Sequence, residues 1–216
     1  MRRPAERPHT TAEIIKLARL LGREPADLAY LERLAVEDLR RLRDGVTEVL
    51  YDTDAAVLRR MAAASRLLPA GVIATLAQRA FGPLLSARLA GRLDLDRAVD
   101  VAGRLPPEFL ADVAGDLDPR RASERITRIS PPLIAEITGE LARRQDYVTM
   151  GRFVGHLSDG ALAAALAGLD GAALLQVSFL LEDSDQLDRL LQHLSPSQLS
   201  DPDLQARIAQ LRAHGV

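Results

Sequence analysis

An apolar residue that returns every twelve positions constrains this chain more than any other feature. A period this short has room for one helix of about two turns and a turn. Such helices are unstable alone, so each must pack on its neighbours. The sequence therefore predicts an all-α fold, a superhelical array (α-solenoid) of short helices of about 12 residues. The series has steps of 12 except for one gap of 16, and it consists of Leu93, Leu105, Leu117, Ile129, Leu141, Leu157, Leu169 and Leu181.

Capping residues and prolines follow the periodic residue at many of these positions. Asp118 and Pro119 follow Leu117, and Ser130 and Pro131 follow Ile129. Asp and Ser side chains accept hydrogen bonds from the free N–H groups of the next helix, and proline is tolerated in its first turn. The sequence therefore predicts new helices after Asp118 and Ser130, and by the same reasoning after Asp170.

The chain before the series has a different character. Residues 1–9 are rich in Arg and Pro, which predicts a flexible arm. Residues 10–66 predict longer helices that form an N-terminal helical cap. The first begins at Thr10 or Thr11 and ends at Gly22, and the next stretch has a break near Val36. Residues 67–216 are predicted to form the array of short helices.

Two strings in the array carry a resemblance to a known family. Leu105-Pro106-Pro107-Glu108-Phe109-Leu110 and Leu117-Asp118-Pro119-Arg120 resemble the short-helix repeats in the N-terminal cytoplasmic domain of MgtE-type magnesium transporters. The flagellar motor-switch protein FliG has comparable repeats. The resemblance covers roughly residues 68–200. It implies a superhelical fold and, as in the transporter family, a surface that helps to sense magnesium.

Composition excludes several classes of function. Basic and acidic residues nearly cancel, 28 against 30, so no strong field favours nucleic acid as a partner. Without cysteine there is no disulfide, thiol catalysis or cysteine–zinc site. No apolar stretch follows the first eight residues, so no signal peptide is expected. We expect a protein of the bacterial cytoplasm.

The series fails once, between Leu141 and Leu157, in a stretch of unusual composition. Four extra residues lengthen a helix by about one turn or insert a loop. One interpretation is a pocket or a docking ridge for a partner or ligand, and the other is a longer helix that fills a bend in the array. Arg and Tyr are typical anchors of protein interfaces. The candidate binding residues in this stretch are Arg143, Tyr147, Met150, Arg152, Phe153 and His156.

Aspartates recur at the predicted turns. A hard cation binds several oxygen ligands that converge on one point, and stacked turns could align carboxylates in that way. Capping and the helix dipole explain the same aspartates without a metal, so the metal site is the weaker interpretation. We expect no cofactor. The candidate metal ligands are Asp94, Asp96, Asp116 and Asp118.

Residues 160–181 include a single charged residue, Asp170, and are long enough to suggest a transmembrane helix. A charge at the centre of such a helix costs about 2.5–3.5 kcal/mol on insertion scales. Asp170 also lies on the twelve-residue step, where a helix boundary is expected. The sequence therefore predicts two short buried helices and no transmembrane segment. Their cover would be the C-terminal helices near Leu187, Leu190, Ile208 and Leu211 or a second copy of the chain.

No residue set has the spacing of a known catalytic motif. The four histidines are scattered, and no glycine-rich phosphate loop or nucleophile elbow is present. The sequence therefore favours a protein that is not an enzyme, a protein–protein interaction scaffold or regulatory module. The alternative is a sensor domain that responds to a ligand or to Mg²⁺ and acts on a membrane protein.

Overall fold

The computed structural model describes residues 7–52, 55–181 and 184–213, and every regular element in these ranges is helical. The protein is therefore all-α, as the sequence predicts. Two short 3₁₀ helices (Pro25–Arg33 and Val154–His156) and one π-helical turn (Ala77–Phe81) accompany the α-helices. The α-helices are α1 (Arg7–Leu21), α2 (Val36–Asp52), α3 (Ala55–Ser65), α4 (Ala70–Leu76), α5 (Gly82–Ala90), α6 (Leu95–Ala102), α7 (Pro107–Asp116), α8 (Pro119–Ile126), α9 (Pro131–Arg143), α10 (Tyr147–Phe153), α11 (Asp159–Ala167), α12 (Gly171–Phe179), α13 (Ser184–Gln192), α14 (Pro196–Leu199) and α15 (Pro202–Ala213).

The helices group into two compact units. Residues 55–169, with α3 to α11, form one unit, which we call the central unit. Residues 7–52, 170–181 and 184–213, with α1, α2 and α12 to α15, form the other, which we call the terminal unit. The twelve-residue series thus runs through the central unit and continues into the second half of the terminal unit.

In the central unit, most helices pack on the helix after next. Helix α5 packs on α7, α7 on α9 and α9 on α11. In the same way α4 packs on α6, α6 on α8 and α8 on the 3₁₀ helix Val154–His156. Buried side chains from α4, α6 and α7, among them Ile73, Val101 and Leu110, form one apolar cluster. Each short helix thus covers its apolar side with its neighbours, which compensates for its low stability alone.

Three arginines connect helices that are far apart in sequence. Each guanidinium donates to a backbone carbonyl at or just after the end of an earlier helix. Arg97 Nη2 lies 2.7 Å from Ser65 O, and Arg125 Nη2 lies 2.7 Å from Leu93 O. Arg152 Nη2 lies 2.6 Å from Leu117 O. Carbonyls at a helix C-terminus lack intrahelical partners and carry partial negative charge, so a cation there is stabilising.

The predicted helix boundaries are confirmed. Helices α8, α9 and α12 begin directly after Asp118, Ser130 and Asp170. The Asp118 carboxylate accepts a hydrogen bond from the Arg120 N–H at 3.1 Å, and the Asp170 carboxylate accepts one from the Ala173 N–H at 2.8 Å. Ser130 occupies the capping position without a side-chain hydrogen bond. At Asp118 and Asp170, side-chain capping thus accompanies the start of a helix at the residue that the sequence indicates.

The periodic residues mark the connections between helices. Leu93, Leu105 and Leu117 each lie between two successive helices, and the first two are buried. Leu141 differs, because it lies inside α9, which continues to Arg143 and has 13 residues. The gap of 16 after Leu141 therefore includes the end of this longer helix, all of α10 and the 3₁₀ helix that follows it.

In the terminal unit, α1 begins at Arg7, before either capping threonine, and so includes residues 7–9 of the predicted arm. Residues 1–6 of that arm lie outside the described part of the chain. Helix α1 ends at Leu21, directly before Gly22, and α2 begins at Val36, as predicted. Leu17 of α1 packs with Leu39 of α2 in a small apolar cluster.

Residues 160–181 form two helices, α11 and α12, separated at Asp170 as predicted. Helix α11 packs on α9 in the central unit. Helix α12 packs on α15 and α1 in the terminal unit, where Leu187 and Leu190 are also buried. Across the described ranges, none of the helices combines the length and the apolar character that crossing a membrane requires.

Gly171, the first residue of α12, allows a close approach of Asp201. A Cβ atom at position 171 would lie 2.1 Å from Asp201 Oδ2. The other oxygen of this carboxylate accepts the N–H groups of Asp203 and Leu204 at 3.0 Å and so caps α15. We expect Gly171→Ala to displace this carboxylate and to lower the free energy of unfolding by about 1–2 kcal/mol, measured by urea denaturation.

Gly139→Ala is the matched control. Gly139 is exposed in the interior of α9, and a Cβ atom there would have no neighbour within 4 Å. Alanine has the higher helix propensity, so this variant should gain up to about 1 kcal/mol. Equal stability of the two alanine variants would contradict the proposed contact between Gly171 and Asp201.

Candidate functional site

The central unit contains an apolar pocket of about 230 Å³ that is partly open to solvent. Residues of α3 to α7 and of the π-helical turn line it, and all but two of its 18 lining residues are apolar. No charged side chain lines the pocket. Protein interiors have few voids larger than a water molecule, so a space of this size in the core is a candidate binding site.

The two polar residues that line the pocket are serines. The Ser65 hydroxyl donates to the Ala62 carbonyl at 2.6 Å, so its hydrogen bond is made within α3. The Ser86 hydroxyl oxygen is buried and makes no hydrogen bond within the described part of the chain. Ser86 Oγ is therefore a buried polar atom of a lining residue that has no hydrogen-bond partner among the described residues.

The π-helical turn Ala77–Phe81 contributes one wall of the pocket. Both its first and its last residue line the space. The turn ends at Gly82, whose φ of 70° and ψ of 176° are strained for residues with a side chain. π-helical turns are rare and occur frequently at functional sites. A local departure from α-helical geometry thus coincides with the pocket.

The pocket opens at the end of α3. Ala64 and Leu68 line the pocket and are also exposed. Large apolar side chains near this end of the unit remain in contact with solvent, and Leu67 is 86% exposed. Val72 and Leu84 are exposed as well. Among the described residues from 85 to 181, no large apolar side chain is exposed to this degree.

The stretch from Arg143 to His156 is the site that the sequence predicts, and its six candidate residues have different surroundings. The Arg143 side chain is 69% exposed and forms an ion pair with Glu140. Met150 is buried, whereas Tyr147 and Phe153 are half-buried. His156 Nδ1 lies 3.4 Å from Ser123 Oγ of α8. The structure places these residues on one segment, and only part of them faces solvent.

Arg152 is directed towards α7. Its Nη2 atom donates to Leu117 O at 2.6 Å, and its Nη1 atom donates to Gly115 O at 3.2 Å. Asp146 caps α10, since its carboxylate accepts the Thr149 N–H at 3.2 Å. Both side chains thus hold α10 in place by hydrogen bonds inside the central unit.

Glu140 is the acidic centre of an ion-pair network on α9. Its carboxylate pairs with Arg143 and lies 2.5 Å from Arg144 Nε, and Arg144 also pairs with Asp112 of α7 at 2.5 Å. The hydrogen bond from Arg143, with a second from Arg144, holds the pKa of Glu140 below its ordinary value. The ionised carboxylate is therefore favoured in the folded protein.

Glu140→Gln is expected to reduce the loss of stability in acid. Because folding lowers the pKa of Glu140, its stabilising effect is complete above the unfolded pKa of about 4.3 and is lost as the pH falls through the folded value. The variant should therefore have a flatter profile of stability against pH below about pH 5. Urea midpoints at a series of pH values measure this. Glu136→Gln, at an exposed position of the same helix, is the control, and profiles that coincide would contradict the prediction.

The four aspartates proposed as metal ligands have separate surroundings. Asp94 pairs with Arg66 through two contacts of 2.8 Å, and this hydrogen bonding lowers the pKa of Asp94. Asp96 lies 2.9 Å from Arg128, and Asp118 caps α8. Asp116 is the last residue of α7. In the ranges that the structure describes, no three His, Asp or Glu residues form a group that could hold a metal ion.

The pocket is the site that sequence reasoning missed. Its lining residues have the spacing of ordinary core residues, and Ser86 resembles any other helical serine. A weak signal was Gly82-Pro83 directly after Phe81, which interrupts an otherwise helical stretch. Comparison of the chain with protein-family models, with curated proteins and with solved structures gives no match.

Proposed function

We propose that this protein is a regulatory module that is not an enzyme and that binds a protein partner through a superhelical array of short helices. Stacked helices of this kind build long surfaces from neighbouring units, and they serve for binding more often than for catalysis. The proposal includes a cytoplasmic location in a bacterium.

The observation that carries this proposal is the recurrence of one contact. Arg97, Arg125 and Arg152 each donate to a carbonyl that lies 32 to 35 residues earlier, at or after the end of α3, α5 or α7. Most helices of the central unit also pack on the helix after next, as α5 does on α7 and α7 on α9. A contact that recurs at similar sequence separation is what a stacked array requires.

Capture of partners from the native lysate tests the proposal. Arg143 is the exposed member of the predicted ridge and Tyr147 is one of its half-buried members, so Tyr147→Ala with Arg143→Ala should remove a partner that the wild-type protein retains. Arg104→Ala, an exposed arginine paired with Asp100 on α6, is the control. A purified partner should bind the wild-type protein at least tenfold more tightly than the double variant. Equal binding would reject the ridge.

The second candidate function is a sensor domain that acts on a membrane protein, and the apolar pocket favours this function with a small molecule as the signal. A sensor should change its melting temperature or protease sensitivity with its ligand. A scaffold should respond only to its protein partner. Titration with Mg²⁺ distinguishes the magnesium-responsive form, because a melting temperature that is constant up to millimolar Mg²⁺ would reject it.

Self-association of the chain through residues 160–181 is tested separately. Residues of α11 and α12 that the chain itself leaves exposed would form the contact between two copies. Light scattering at several protein concentrations measures the mass, and a constant monomer mass would reject association through residues 160–181.

A further inference from the structure

The pocket is large enough to require an explanation of its own. Empty space of about 230 Å³ deprives the surrounding side chains of dispersion contacts, and such cavities destabilise a protein. Both ends of the π-helical turn Ala77–Phe81, which is followed by Gly82 with a positive φ, are part of its wall. π-helical turns occur frequently at functional sites.

The volume and the lining define the chemical class of the ligand. An apolar cavity of about 150 Å³ binds benzene, so a space half as large again accommodates about eight to ten carbon atoms. No charged group lines the pocket, so an ionised ligand would lose its hydration without compensation. The lining therefore selects a neutral and largely aliphatic molecule.

Ser86 supplies the polar contact. A helical serine commonly bonds the carbonyl four residues earlier, but the buried Ser86 hydroxyl makes no hydrogen bond in the described part of the protein. A buried hydroxyl without a partner is unfavourable, and a ligand oxygen would satisfy it. We propose that the pocket binds a neutral aliphatic alcohol or ketone of about eight to ten carbons, with its oxygen at Ser86.

The ligand would enter at the end of α3, between Ala64 and Leu68, which are exposed where they line the pocket. This inference rests on the second candidate function, the ligand-responsive sensor. It is independent of partner binding through Tyr147 and Arg143, which is measured without added ligand. A failure to bind a ligand in the pocket would therefore not reject partner binding, and a failure to bind a partner would not reject the ligand site.

Calorimetric titration with octan-1-ol, octan-2-one and sodium octanoate is the first test. We expect the alcohol and the ketone to bind with a single site and at least tenfold more tightly than octanoate, because the pocket lacks a cation. Binding of octanoate as tight as that of octan-1-ol, or no binding of either neutral probe below 1 mM (about the limit of useful affinity), would overturn the proposal.

Ser86→Ala distinguishes the contribution of the Ser86 hydroxyl to ligand binding from that of the apolar pocket. The variant should bind octan-1-ol about three- to tenfold more weakly, which is the effect of one neutral hydrogen bond. Its melting temperature without ligand should rise, because the unsatisfied hydroxyl is gone. Wild-type affinity for octan-1-ol in a folded Ser86→Ala protein would overturn the role of Ser86.

Filling the pocket is the final test. Ala98→Leu and Ala90→Leu each place extra carbon atoms into the space, and both should reduce octan-1-ol binding at least tenfold. Ala63→Leu adds the same group at an exposed position of α3 that does not line the pocket. Circular dichroism and a cooperative melt identify the variants that fold. If Ala98→Leu or Ala90→Leu folded and kept the wild-type affinity for octan-1-ol, the proposed site would be wrong.

Discussion

Glu13→Ala is expected to lower the free energy of unfolding by about 3–5 kcal/mol, the cost of breaking a buried ion pair from one side. The Glu13 side chain is 2% exposed, and its carboxylate lies 2.7 Å from Arg43 Nη1 and 3.1 Å from Lys16 Nζ. Both cations are almost as buried as the carboxylate. Without Glu13 both cations would lose the acidic partner that they share.

The control for Glu13 is the exposed pair between Asp38 and Arg41 on α2, in which the aspartate is 48% exposed. Removal of an exposed pair costs about 0–1 kcal/mol, so Asp38→Ala should be close to wild type. Urea denaturation of both variants compares a buried with an exposed charge in the same unit. A Glu13→Ala loss no larger than that of Asp38→Ala would contradict the role assigned to burial.

A triple variant distinguishes charge from packing. Glu13→Leu, Lys16→Met and Arg43→Met together replace the buried network by apolar side chains of similar size. Such replacements are often neutral or stabilising, so the triple variant should recover most of the stability that Glu13→Ala loses. Stability no better than that of the single variant would indicate that the side chains act through their shape.

The sequence predicts where helices begin and end better than it predicts which helices pack on one another. The helix boundaries at Asp118, Ser130 and Asp170 depend on local chemistry, namely capping and the twelve-residue period, which a sequence contains directly. The division between α11 and α12 into different units depends on contacts with α9 and α15. Those contacts join residues far apart in the chain, and apolar periodicity does not specify them.

The apolar pocket shows the same limit. Leu89 and Val101 have the spacing of core residues, and they are buried. A void between such residues depends on how side chains from five helices and a π-helical turn fit together, which is a property of packing and not of pattern. The free hydroxyl of Ser86 is equally invisible, because a serine in a helix normally finds a carbonyl of its own helix.

Arg152→Ala is expected to destabilise the central unit by about 2–3 kcal/mol, because hydrogen bonds to charged groups contribute about 1.5–3 kcal/mol. Its guanidinium donates to Leu117 O and Gly115 O, at the C-terminal end of α7, where the helix dipole adds to the attraction. These acceptors lie 35 and 37 residues earlier in the chain. An arginine that the sequence suggests as a binding anchor therefore has a role in holding two helices together.

Two further variants identify the source of this effect. Arg152→Lys should recover only part of the lost stability, because an ammonium group does not have the planar fork that reaches two carbonyls together. Arg143→Ala, in the same segment but 69% exposed, should cost no more than about 1 kcal/mol. Urea denaturation measures all three variants. If Arg152→Ala kept wild-type stability and lost a protein partner, Arg152 would be an interface anchor, and the contact with α7 would be secondary.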